Sequence, residues 1–243
     1  MAVNVRKLYQ EYLQCNDQLD SRRRDVQVGD IRLDRVKLEV VKTEWLVDKF
    51  ESDEQETCST NNLEGEDTTA IVSTENENSA TVTLKQGIVQ GLNNTTFQLE
   101  LNPQKCPRKK ELTEAFGDYL TVDHSKEKSE HPPKKPNMKT KLVGKVGPSG
   151  ATAKACKISK KYTGSFVCTV IMKGKCLANG SEQQIGDVIS QMKSALPRNP
   201  DLKAMSVTQH KGKKGCRNAV QFEIKGDLAC SWDSNERMEL KQN

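Results

Sequence analysis

From Val5 to Val47 every seventh residue is apolar: Val5, Tyr12, Leu19, Val26, Leu33, Val40 and Val47. A repeat of seven marks a helix that lays one seam along a partner, because 3.5 residues per turn keeps that position on one side. The companion position, three residues later, reads Leu8, Cys15, Arg22, Gly29, Val36, Thr43 and Phe50, apolar at its ends and broken at Arg22, Gly29 and Thr43. The spacing predicts a coiled-coil helix over 1–50, loosened near 21–30, that pairs with a second chain or folds back around Val28–Gly29–Asp30. At about 1.5 Å per residue such a helix runs roughly 70 Å, more than a small domain needs.

Hydrophobic residues make up only 34% of the chain and aromatic ones 5%. So little apolar surface cannot offset the ordering of one large core, and small modules joined by solvated segments are expected. The net charge of +5 conceals a segregation of sign: residues 51–80 carry nine acids and no base, residues 121–160 ten bases and three acids. These tracts read as an acidic linker over 51–79 and a basic Pro/Gly/Lys linker over 121–154. Between them, 80–120 reads as a hairpin, Val82/Leu84 against Phe97/Leu99/Leu101 around a Gly-Leu-Asn-Asn turn, with a short helix in RKKELTEAFGDYL. No run of about 18 apolar residues occurs, and the first residues lack the apolar core of a secretory signal, so neither a membrane span nor export is expected.

Regular patterning returns over 155–233, ahead of a tail at 234–243. ACKISKKYTGSFVCTVIMKGKC reads as two strands around a Tyr-Thr-Gly turn. Ser181 with Gln184 makes a capping box, and Ile185, Val188, Ile189, Met192 and Leu196 form one helical face, ended by Pro197 and Pro200. Leu202, Met205 and Val207 supply a third strand; Val220, Phe222, Ile224, Leu228 and Cys230 alternate along a fourth. The expected fold class is α+β: a long N-terminal helix, charged linkers, and a small ferredoxin-like β-β-α-β-β domain.

Motifs for catalysis are missing. The three histidines, His124, His131 and His210, fall in linker or at a strand end, and no acid pair stands at a telling spacing. GKVGPSG lacks the register of a phosphate-binding loop. None of the eight cysteines forms a C-x-x-C pair, so no metal site is expected. Cys156 with Cys168, and Cys216 with Cys230, are pairings an oxidising compartment would allow; buried free thiols are the alternative. The N-x-T triplets at Asn93 and Asn94 and the N-G-S at Asn179 read as turn residues. No cofactor and no enzymatic activity are expected.

The segment FVCTVIMKGKCLANGSEQQIGDVISQMKSALPRNPDLKAMSVTQHKGKKGCRNAVQFEIKGDLAC resembles the C-terminal periplasmic domain of PilN/PilO-type components of type IV pilus and type II secretion machines. The shared pattern is a strand ending in a Gly turn, the Ile185–Met192 helix, a Pro-Asp break, a strand, a basic turn and a strand of the form F-x-I-x-G-x-L; a coiled coil before a ferredoxin-like domain is shared too. The resemblance implies a non-enzymatic structural scaffold, a homo- or hetero-dimer through the seam Val5, Tyr12, Leu19, Val26, Leu33, Val40 and Val47, at the periplasmic face of the inner membrane. Without it the default compartment is the cytoplasm. The alternative class is a basic nucleic-acid-associated module in which 126–161 and the turn residues Lys211, Lys213, Lys214 and Arg217 contact phosphates.

Overall fold

A computed structural model describes the chain except residues 1, 20–29, 65–68, 76–77, 93–95, 103–105, 107, 132–138, 148 and 213–214. Its frame is three very long strands: β2 (Ile31–Leu63), β10 (Ala151–Ala178) and β13 (Gly215–Gln242). At about 3.3 Å per residue the longest extends on the order of 100 Å. Around them stand β1 (Ala2–Asn4), α1 (Val5–Leu19), β3 (Thr69–Glu75), β4 (Ser79–Gln86), β5 (Ile88–Gln90), β6 (Thr96–Glu100), α2 (Lys109–Phe116), β7 (Tyr119–Asp123), β8 (Lys128–His131), β9 (Lys139–Lys145), β11 (Ser181–Gln184), α3 (Ile185–Ala195), α4 (Pro200–Lys203) and β12 (Ser206–Gly212). The large sheet runs β11-β10-β13-β4-β8, with β12 also on β13 and β2 along the other edge of β10.

This architecture overturns the α+β, ferredoxin-like reading with its long coiled coil. Helix α1 stops at Leu19, and Leu33, Val40 and Val47 belong to strand β2. The heptad spacing misled because a strand buries alternate residues, and a strand with bulges meets a period of seven at several positions. Register breaks between Lys175 and Leu177 and between Thr169 and Val170 on the partner strand mark those bulges in β2. Consequently Ile31, Leu33, Val36, Thr43 and Trp45 are buried while Asp34–Arg35 and Val41–Lys42 both face solvent.

The turn expected at Tyr162–Gly164 does not exist. Tyr162 pairs with Cys230, Thr163 with Ala229 and Gly164 with Leu228 in one unbroken β10. Nor is the acidic tract a linker: Asp53 stands opposite Lys161 and Glu54 opposite Lys160 in the β2–β10 ladder, with Glu54 also 3.6 Å from the Lys160 ammonium. Segregated charge along the sequence becomes paired charge across the sheet, where opposite signs facing each other support the register.

Buried positions on β10 change parity along its length, Ala151, Ala153 and Ala155 at one end and Tyr162, Phe166, Cys168, Val170 and Met172 further on. Pairing with β2 is unbroken from Ala151 to Thr163, so these rows lie on opposite faces. The second row belongs to the main core, with α3 contributing Ile185, Val188, Ile189 and Met192. Ser181–Gln184 is strand β11 rather than a capping box, and Gln184 caps α3 in extended conformation without a side-chain bond. A Cβ on Gly186 would lie 2.4 Å from the Asn218 carbonyl carbon, so α3 sits directly on the β13 backbone. Gly186→Ala is expected to destabilise the fold by about 1–3 kcal/mol through overpacking, read as a lower midpoint in thermal unfolding.

Candidate functional site

Between β2 and β10 the pairings are nested. β3 pairs antiparallel with β9 from Thr69↔Lys145 to Glu75↔Lys139, β4 with β8 from Ala80↔His131 to Thr83↔Lys128, and β6 with β7 from Thr96↔Asp123 to Glu100↔Tyr119. Successive pairs, each enclosed by the one before, are the pattern of one long hairpin over 69–145. Its middle section joins the large sheet through β4 on β13. Its end section leaves that sheet and forms a separate two-stranded one, bridged by α2. The hairpin expected between Val82/Leu84 and Phe97/Leu99 is therefore corrected: the partner of β6 is the segment YLTVD.

The end section alternates strictly. Phe97, Leu99, Leu120 and Val122 are buried and face each other as Phe97↔Val122 and Leu99↔Leu120, while Thr96, Gln98, Tyr119 and Thr121 are exposed. One face of this ribbon is apolar and docks on the main core together with Leu112 and Phe116 of α2. Trp45 of β2 lies beneath it, its indole Nε1 donating to the Glu100 carbonyl at 3.3 Å and its ring edge-on to Phe166 at 5.7 Å. At the outer end Arg108 reaches Glu54 of β2 at 3.5 Å and Glu111 at 3.2 Å.

At the base of the ribbon His124, expected in a linker, is fully buried. Its Nε2 accepts a hydrogen bond from the Val89 amide at 2.9 Å, and its ring meets Phe97 edge-on at 6.5 Å. The other nitrogen, Nδ1, is buried without a hydrogen-bond partner. Burial pushes the imidazole pKa down to about 4, against the opposing pull of Asp123. A neutral ring whose Nε2 accepts must carry its proton on Nδ1, so a second proton would sever the bond to Val89.

Sulfur chemistry is muted. Cys58 and Cys156, which face each other across β2 and β10, form a disulfide; this is neither of the pairings that the sequence allowed, because the register of these long strands was not legible. Glu56 stands close enough to both sulfurs to complete an ion-binding trio, but thiolates joined to each other are not available as ligands. Burial pushes Cys168 and Cys176 up to about 11 and Cys106 up to about 12, so these thiols are protonated and poor nucleophiles near neutral pH.

The predicted seam is scattered. Val5 is buried and Tyr12 half-buried in α1, where Leu19 is the last residue; Leu33 is buried and Val40 half-buried in β2, which also holds Val47; Val26 lies outside the described residues. Lys211 pairs with Cys216, and Arg217 with His210, in the β12–β13 ladder, whereas Lys213 and Lys214 lie outside the described residues. In the basic stretch 126–161, Lys160 and Lys161 stand against β2 acids and Lys157 contacts the Asp233 carboxylate at 3.0 Å. Three bases of that stretch are thus matched by acids within the chain, and nothing among the described residues supports the nucleic-acid reading. Among the described residues no helix is long and apolar enough to cross a membrane.

No family model matches the chain, and no curated protein matches it either. Among solved structures it is similar to a non-toxic crystal protein from Bacillus thuringiensis, with TM-score 0.45 and 11% identity over 100% of this chain and 99% of that one. The Mpp75Aa1.1 beta-pore-forming protein from Brevibacillus laterosporus gives 0.34 and 7% over 99% and 89%. An aerolysin-like protein from Bombina maxima gives 0.27 and 11% over 85% and 96%. Superpositions this loose assign neither activity nor family; it is the chain's own architecture, with α1 ending at Leu19 and Leu33, Val40 and Val47 on the long strand β2, that corrects the PilN/PilO resemblance and the pilus or secretion scaffold inferred from it.

Proposed function

We propose that this chain is a non-enzymatic, membrane-active β-protein whose hairpin β6–α2–β7 leaves the core and turns its apolar row toward lipid. The observation that carries the reading is the strict alternation of Phe97/Leu99 and Leu120/Val122 against Thr96/Gln98 and Tyr119/Thr121, on a ribbon that forms its own two-stranded sheet outside the large one. A strand that crosses a bilayer needs about 9–11 residues with lipid-facing and water-facing side chains in turn. The segment 96–123 is long enough for two such limbs. In lipid the backbone of a lone hairpin is unsatisfied at its edges, so several copies must close a barrel together. The protonated, buried thiols and the exposed row of Thr and Gln on the ribbon supply no nucleophile–base pair, which favours a physical over a catalytic action.

Release of a small trapped dye from phosphatidylcholine vesicles tests this. The chain is expected to release dye, faster at pH 4.5 than at pH 7.5, with a rate that rises more than linearly with protein concentration. Intact vesicles across that pH range, with anionic lipid present or absent, contradict the reading.

A further inference from the structure

Among the described residues β2 pairs with β10 alone, so its outer edge carries no strand. Beside Leu38–Thr43 this edge opens on a cleft of about 500 Å³ whose far wall is β6 and β7, including Phe97 and Tyr119. Val41 at its lip is 57% exposed. Charges and bulges on an edge strand ordinarily keep other strands away; here their order distinguishes them. The outward side chains of 32–44 read Arg32, Asp34, Arg35, Lys37, Glu39, Val41, Lys42 and Glu44. Turned about Leu38, the row maps onto itself with three pairs of opposite sign, Arg32 with Glu44, Asp34 with Lys42 and Lys37 with Glu39, while Arg35 meets the apolar Val41. The paired outward residues at the two bulges, Asp34–Arg35 and Val41–Lys42, also exchange places. On the inward side Val36 meets Val40 and Leu38 meets its own copy.

We propose that this edge is the interface of a two-fold dimer, in which β2 of a second copy adds antiparallel to β2 with Leu38 on the axis and joins two sheets into one. A two-fold axis requires a self-complementary patch, and antiparallel neighbours are supported by opposite charges directly across. The charges are available: Asp34, Lys42 and Glu39 side chains are 50%, 64% and 50% exposed. Within one chain Asp34 meets Arg32, Lys42 meets Glu44, Glu39 meets Lys173 on β10 and Arg35 meets Glu182 on β11. The interface is the backbone edge of β2, with the ribbon as a neighbouring wall, and it is read in lipid-free solution, so its failure leaves the membrane reading standing and the reverse holds too.

Sedimentation equilibrium of the full chain in low salt tests the proposal. A monomer–dimer equilibrium is expected for the wild type, weakened by raised salt. Asp34→Lys creates two like-charge pairs per dimer and is expected to weaken association at least tenfold, while Asp34→Lys with Lys42→Asp restores it. A wild type that stays monomeric at all accessible concentrations overturns the proposal, as does an Asp34→Lys chain that dimerises like the wild type or a double exchange that fails to recover. Lys42→Asp alone is the second single variant, and circular dichroism confirms that each chain is folded.

Discussion

Replacing Cys58 and Cys156 by Ser lowers the stability of the folded chain by about 2–4 kcal/mol. The bridge spans a sequence separation of 98, and a loop of about 100 residues has a closure entropy worth about 4.7 kcal/mol in the simplest model. Within that loop lies the whole ribbon 69–145. The strands it joins remain paired on both sides, Lys157 with Thr57 and Ala155 with Ser59, so the fold persists and the loss appears chiefly as freedom of the unfolded chain. In a chain of this size about 1 kcal/mol moves the midpoint by about 2–4 °C, which puts the expected drop at about 5–15 °C by scanning calorimetry. Reductant on the wild type should reproduce it, since the buried thiols contribute nothing to that comparison. An unchanged midpoint in the Ser variant means the bridge does not constrain the unfolded chain.

Acid is the second large lever. His124 takes its proton near pH 4 in the folded chain but near pH 6.5 when unfolded. Between those values the unfolded state binds more protons, so stability falls as pH is lowered, by at most about 3.5 kcal/mol in total at roughly 1.4 kcal/mol per unit. Above pH 6.5 both states are neutral at this site and the contribution is level. Asp123, held below the usual carboxylate range mainly by the Ser125 hydroxyl with help from Lys126, adds its own loss at still lower pH. Chemical denaturation at a series of pH values should show the slope between pH 6.5 and 4, and His124→Gln should flatten it. An equal slope in the variant assigns the acid sensitivity to other groups. Because His124 touches both Phe97 and the Val89 amide, the same proton loosens the base of the amphipathic ribbon.

Local pattern was legible in the sequence and long-range register was not. The stripe Ile185, Val188, Ile189 and Met192 is buried on α3 as its spacing indicates, and the alternation Phe97/Leu99/Leu101 marks buried positions. What failed was the choice of partner. YLTVD carries the matching alternation Leu120/Val122, a signal present in the sequence but hidden behind the helix α2 that separates it from β6. The acidic tract 51–56 looked like part of a solvated linker because it is too polar to form a core, and Lys157–Lys161 like the first strand of a separate small domain; opposite each other on β2 and β10 they belong to one ladder. Long strands defeat a reading that expects turns every few residues: Gly164 and Gly226 fall inside β10 and β13, where Gly226 makes room for the Phe166 ring, 2.7 Å from where its Cβ would stand. The seven-residue repeat was real as spacing and wrong as geometry, since the bulges of β2 let apolar residues recur without a helix.

The most direct test follows Trp45 while vesicles leak. Its indole lies under the ribbon, bonded to the Glu100 carbonyl, and a Trp232→Phe chain leaves it as the sole tryptophan, because the sequence holds two. On adding vesicles at pH 4.5, Trp45 emission should change on the same time course as dye release, as the ribbon departs and its cover is lost. Dye release with Trp45 emission unchanged, or no release at all, contradicts a mechanism in which β6–α2–β7 leaves the core for the membrane.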